Sequence, residues 1–115
     1  MCLPSWKRLA NKHPYRLKIM DSLEKFREDL DRVDKQLVEL LVRRLDICSE
    51  VAKFKKAHGI PMMQPHRVEY VKHRCANLAV SHGLDSEFIT RLYTLIINEA
   101  CRLENEIIDS SEDVA

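Results

Sequence analysis

The sequence predicts an all-α fold of three helices per chain, one of them very long. Composition is the first reason. Among 115 residues 45% are apolar, 32% are charged and only 2 are glycine, the profile of a helical protein rather than a β-sandwich or a disordered chain. Periodicity is the second. Leu23, Phe26, Leu30, Val33, Leu37 and Leu40, then Ile47, Val51 and Phe54, recur in the three-then-four rhythm of a helix seam. The third is punctuation. Neither Pro nor Gly occurs between Leu23 and His58, and Gly59 and Pro61 then supply a stop.

The first helix is therefore expected from about Asp21 to His58, with Asp21 and Glu24 as a capping-box-like start. At about 1.5 Å per residue it would run roughly 50 Å, which a small globule rarely contains within one subunit. Its outer face carries the pairs Arg27 with Asp31, Asp31 with Lys35, and Glu39 with Arg43 at helical spacing. Such solvated pairs carry no functional information. Pro65 suits the first position of a second helix over Pro65 to His82, with Val68, Val71, Cys75 and Leu78 as its apolar stripe and Gly83 as its end. Asp85 is placed to cap a third helix, which carries Phe88, Leu92, Leu95, Ile96, Leu103 and Ile107.

Three regions follow. Residues 1–19 read as a basic, poorly ordered leader containing Pro4 and Pro14, without the apolar core of a secretory signal. Residues 20–109 form the helical domain, and residues 110–115 an acidic tail.

Charge and cysteines exclude several classes. Lys+Arg is 19 against Asp+Glu 18, so bulk electrostatics point neither to nucleic acid nor to an anionic membrane. No apolar run approaches the roughly 18 residues that span a bilayer. Cys2, Cys48, Cys75 and Cys101 form no CxxC pair, which suits a reduced, cytoplasmic protein. His66 and His73 lie seven apart with no Cys or carboxylate completing a ligand set, so no metal is expected.

The functional signal lies in charges on the wrong face. The step after Leu40 should fall on an apolar residue 44, and that residue is Arg44. Residues eleven apart on a helix differ by only about 20°, so Arg44 and Lys55 share a face, with Cys48 and Val51 between them. Two readings stand for an arginine there: it snorkels or pairs with an acid such as Glu99 or Glu104 of the third helix, or it faces a pocket for an anionic ligand. Arg67 favours the second reading, because a cation in the first turn opposes the helix dipole and is better explained by an anion to bind. Arg27 lies seventeen residues before Arg44, about 25 Å along one helix. If both touch one ligand, Arg27 must come from a second copy, and a dimer of antiparallel long helices would meet that condition.

From about Leu23 to Ile108 the chain resembles the all-helical chorismate mutase family. The resemblance rests on FREDLDRVDKQLVELLVRRLDICSEVAKFK, the loop with Pro61 and Arg67, and HGLDSEFITRLYTLIINEACRLE. The order Arg27, Arg44, Lys55, Arg67, Glu104 matches the family's order of active-site side chains. The resemblance implies an intertwined homodimer with two active sites and Arg27 supplied in trans. It implies that Arg44 and Arg67 clamp the two carboxylates of a small dicarboxylate substrate, and that Lys55 donates to the ether oxygen. Glu104 stands where a glutamine is usual and would meet the same oxygen; Ala100, one turn before it, belongs to the same binding surface. Val68 stands where a glutamate usually reads the substrate's 4-hydroxyl, and Gln64 where an aspartate is frequent. With these departures, IPMMQPHRV and NEACRLE are similar to the mutases that act on 4-amino-4-deoxychorismate and feed p-aminophenylalanine synthesis for antibiotics.

The implied reaction is a Claisen [3,3] rearrangement to 4-amino-4-deoxyprephenate, which requires no cofactor. Glu104 would act in its protonated form, since a carboxylate repels a developing negative oxygen; turnover is then expected to be better at mildly acidic than at alkaline pH. The alternatives are an ordinary chorismate mutase, an isochorismate-pyruvate lyase of the same fold, in which arginine followed by valine also occurs, and a non-catalytic helical dimerisation module.

Overall fold

The computed structural model describes the backbone of residues 14–112 and the side chains of residues 16–109. Within them every regular element is helical: α1 (Pro14–Ala57), α2 (Pro65–Ser81) and α3 (Ser86–Glu112). The three-helix expectation holds, and the long first helix starts earlier than Asp21. Pro14 opens α1, where a missing N–H costs nothing and a fixed φ suits the helix. Asp21 is thus an interior residue rather than a cap, and Ser22 Oγ donates back to the Lys18 carbonyl at 3.0 Å within the helix. Of the expected leader, residues 14–19 are helical; residues 1–13 and the end of the acidic tail lie outside the described residues.

The chain divides into two compact units after Val42, and α1 passes through the division. In the first unit the seam residues Phe26, Leu30, Val33, Leu37 and Leu40 are all exposed, Phe26 by 65%. The surface ion pairs there are Arg27 with Glu24, Arg32 with Asp29, and Lys35 with Glu39. They replace the expected pairs with Asp31 and Arg43: Arg27 and Arg32 take acids three residues away, which lie as close on a helix surface as those four away, and Lys35 takes Glu39 four away.

The second unit is a helical cluster whose interior is made of small residues: Ala52 of α1, Cys75 and Ala79 of α2, and Ala100 of α3 are its buried apolar positions. Small side chains let α2 and α3 bring their backbones close together. α1 and α2 are each followed by a glycine of positive φ. After α1, the Ile60 N–H donates to the Lys55 carbonyl and the Gly59 N–H to that of Lys56, around Gly59 at φ +66°. After α2, Leu84 donates to Ala79 and Gly83 to Val80, around Gly83 at φ +77°. These are Schellman caps, which satisfy the last carbonyls of a helix and reverse the chain sharply. The second explains why α2 stops at Ser81 rather than at His82. Asp85 caps α3 as expected, its Oδ2 accepting from the Phe88 N–H at 3.1 Å. Lys56 Nζ donates to the Ile108 carbonyl at 3.0 Å and ties the end of α1 to α3.

The apolar stripe of α3 divides. Ile96, Leu103 and Ile107 are partly buried, whereas Phe88, Leu92 and Leu95 remain exposed. No helix among the described residues is long and apolar enough to cross a membrane.

Candidate active site

One cavity of about 340 Å³ in the second unit gathers the misplaced charges. Four segments build its wall. α1 contributes Arg44, Cys48, Val51 and Lys55 from successive turns, the loop contributes Met62, α2 contributes Arg67 and Val68 from its first turns, and α3 contributes Ala100, Cys101 and Glu104. Six of the eight residues singled out from the sequence therefore meet here: Arg44, Lys55, Arg67, Val68, Ala100 and Glu104.

The other two lie elsewhere. Gln64 does not line the cavity. It sits at the N-terminal boundary of α2 with an extended backbone, and its carbonyl accepts from the Arg67 and Val68 N–H groups at 3.0 and 3.2 Å. Its role is to set the turn from which Arg67 and Val68 are presented. Arg27 belongs to the first unit, where its guanidinium lies 4.0 Å from Glu24.

Each cavity cation is held by neutral groups. Lys55 Nζ donates to the Met62 carbonyl at 3.2 Å, so the last turn of α1 is pinned to the loop that follows it. Arg44 reaches the Cys48 sulfur at 3.8 Å and lies 5.6 Å from the centroid of the Tyr93 ring. Arg67 lies 4.9 Å from the Tyr70 ring. Among the described residues none of the three has a carboxylate as an ion-pair partner. The reading in which Arg44 pairs with an acid of α3 therefore fails. Glu99 instead pairs with Arg102 on the outside of α3, whose hydrogen bond holds the Glu99 carboxyl below its usual range.

The remaining lining is apolar or soft. Ile47, Val51, Val68, Val71 and Ile97 supply its aliphatic part. Burial pushes the Cys101 thiol above its ordinary range, with Glu104 and Cys48 acting in the same direction and Lys55 against them. Three cations and one acid in a largely apolar cup favour a small ligand with two negative groups. The volume falls within the range of small-molecule sites.

Sequence reasoning missed Tyr93, and the signal was present. Tyr93 lies eleven residues before Glu104, the separation that aligned Arg44 with Lys55 on α1. Applied to α3, it puts the ring on the face that carries Glu104. Cys101 was read as a small hydrophobe and is in addition part of the cavity wall.

Comparison with known proteins places the sequence in a family. The sequence profile described as chorismate mutase type II matches residues 26–105. A 4-amino-4-deoxychorismate mutase of Streptomyces venezuelae is 43% identical over 88 residues, covering 76% of this chain and 85% of that protein. A 4-amino-4-deoxychorismate mutase of Streptomyces pristinaespiralis is 44% identical over 90 residues, or 78% and 70% of the two chains. A chorismate mutase of Methanocaldococcus jannaschii is 22% identical over 95 residues, covering 83% of this chain and 96% of that protein.

Proposed function

The chain belongs to the chorismate mutase type II family, and from that premise we propose that it converts 4-amino-4-deoxychorismate to 4-amino-4-deoxyprephenate. The observation that carries this reading is the cavity in which Arg44, Lys55, Arg67 and Glu104 converge, with no carboxylate ion-pair partner for the three cations among the described residues.

In the rearrangement the ether C–O bond of the enolpyruvyl group breaks as a new C–C bond forms to the ring, and six electrons move in one cycle. No atom is gained or lost and no external proton is needed. Catalysis then comes from holding a flexible ether in its folded conformer and from stabilising charge on the departing oxygen. Arg44 and Arg67 hold the two carboxylates through paired N–H donors, for which a guanidinium is better shaped than an ammonium. Lys55 turns from the Met62 carbonyl to the ether oxygen, and the Glu104 side chain is a second hydrogen-bonding group beside the same atom. Val68 leaves the region near the substrate's 4-position without a carboxylate acceptor.

The reading includes a homodimer with Arg27 supplied in trans. It is supported by the exposed seam of the first unit and, separately, by the exposed Phe88, Leu92 and Leu95 of α3 in the second, apolar side chains that a partner would cover. It also includes a reducing, cytoplasmic setting, supported by free thiols at Cys48, Cys75 and Cys101.

Incubation of the purified protein with 4-amino-4-deoxychorismate, chorismate and isochorismate, each alone, tests the reaction. The amino substrate is expected to be consumed with the highest kcat/KM; faster consumption of either other substrate overturns the assignment. Mixing inactive Arg27→Ala with inactive Arg44→Leu tests the shared site. Random re-pairing would restore about a quarter of the wild-type sites, because each mixed dimer regains one intact site. No recovery overturns the supply of Arg27 in trans.

A further inference from the structure

Arg44 has to present its guanidinium in one orientation while remaining free to accept a carboxylate. An acidic neighbour would fix the orientation but would compete with the ligand. The structure uses neutral groups instead, and the principal one is an aromatic face. The Arg44 guanidinium carbon lies 5.6 Å from the centroid of Tyr93, inside the distance at which ring and cation attract. Tyr93 is partly buried on α3, seven residues before Ala100 and eleven before Glu104. It is absent from the cavity lining, so it reaches the site only through Arg44.

We propose that Tyr93 is a positioning residue for the mutase reaction: its ring holds the Arg44 guanidinium in the orientation that receives a substrate carboxylate. The inference rests on the clamp role given to Arg44 above. The ring joins all three helices of the second unit, since Arg44 is on α1, Tyr93 on α3, and Cys75, the buried thiol beside the Tyr93 hydroxyl, on α2. Burial and the Cys75 thiol raise the Tyr93 phenol above its usual range, while Arg44 and Arg74 act against them. The hydroxyl thus stays neutral at physiological pH, and the ring does not become an anion that would capture Arg44. The thiol of Cys48, 3.8 Å from the guanidinium, is a second neutral contact from the same helix as Arg44.

Steady-state kinetics on 4-amino-4-deoxychorismate with Tyr93→Leu and Tyr93→Phe tests this. Loss of the ring is expected to raise KM about 3- to 30-fold, the range of a cation–π contact, with kcat moving less. Tyr93→Phe, which keeps the ring, recovers most of that loss. A purely packing role would lower the fraction of folded enzyme, and hence kcat, at unchanged KM; that result overturns the proposal. If Tyr93→Leu does not fold, phenylalanines carrying one to five ring fluorines at position 93 decide the matter. They preserve shape while weakening the negative ring face, so KM should climb with fluorine number, and a flat series overturns the proposal. Arg44→Leu separates this inference from its premise. If that variant keeps its kcat/KM, the clamp role fails; if it loses kcat/KM while the ring series is flat, only the role of Tyr93 fails.

Discussion

Replacing Arg44 by leucine should separate stability from activity, because the contacts of this side chain serve a ligand more than the fold. Arg44 is half-buried, and its contacts are the Cys48 sulfur at 3.8 Å and the Tyr93 ring at 5.6 Å. The folded protein therefore loses one cation–π contact at a partly exposed position, about 0.5–1 kcal/mol. It gains the relief of a partly desolvated charge and a leucine on the same stripe as Val51, of comparable size and opposite sign. The net change is expected within about 1 kcal/mol, a few degrees in Tm for a chain of this length. The activity side is not balanced in this way. A substrate carboxylate left without its guanidinium in an apolar cup costs about 2–5 kcal/mol, or about 30- to 5,000-fold in kcat/KM. Thermal melts and initial rates of 4-amino-4-deoxychorismate consumption on the same preparations give both numbers. A variant within about threefold of wild-type kcat/KM would refute the reasoning and favour a helical dimerisation module, in which Arg44 is only an awkward core residue.

Lys55→Met removes the donor that rests on the Met62 carbonyl, and kcat at saturating substrate should fall about 10²- to 10³-fold, as for other lost donors to a developing oxyanion. Glu104→Gln, which keeps a hydrogen-bond donor beside the ether oxygen, should retain far more kcat than Glu104→Ala; equal losses in the two variants would end the donor role. Gly83→Ala should cost about 1–2 kcal/mol in urea unfolding, because φ is +77° while an added Cβ would meet nothing within 4 Å, so the penalty is backbone strain alone.

Much of this architecture could be read from the chain because the relevant signals are local. Gly59, Gly83 and Asp85 announce caps whose hydrogen bonds involve residues only a few positions away, and each was found with the expected geometry. Arg44 and Lys55 were legible because eleven-residue spacing is a property of one helix. The start of α1 was misjudged because residues 1–19, Pro14 among them, were read as a poorly ordered leader, when a proline in a first turn is compatible with a helix. The surface ion pairs were misassigned because partners at three and four residues differ by tenths of a kcal/mol, too little for sequence to rank. The stacking of Tyr93 under Arg44 joins two helices separated by a loop, a second helix and a turn. Periodicity puts Tyr93 on the Glu104 face of its own helix, but which side chain of another helix it meets there is decided by packing.

Among the described residues the buried set contains no large side chain: three alanines and one cysteine form it, and every leucine, isoleucine and phenylalanine there keeps some access to water. An interior of that kind removes too little apolar area to offset the ordering of a hundred backbone residues. Folding and self-association should accordingly be a single event, with the unfolding midpoint rising with the logarithm of protein concentration. Dilution would then extinguish helicity and turnover together, and the rate per chain would decline at low enzyme concentration rather than remain constant.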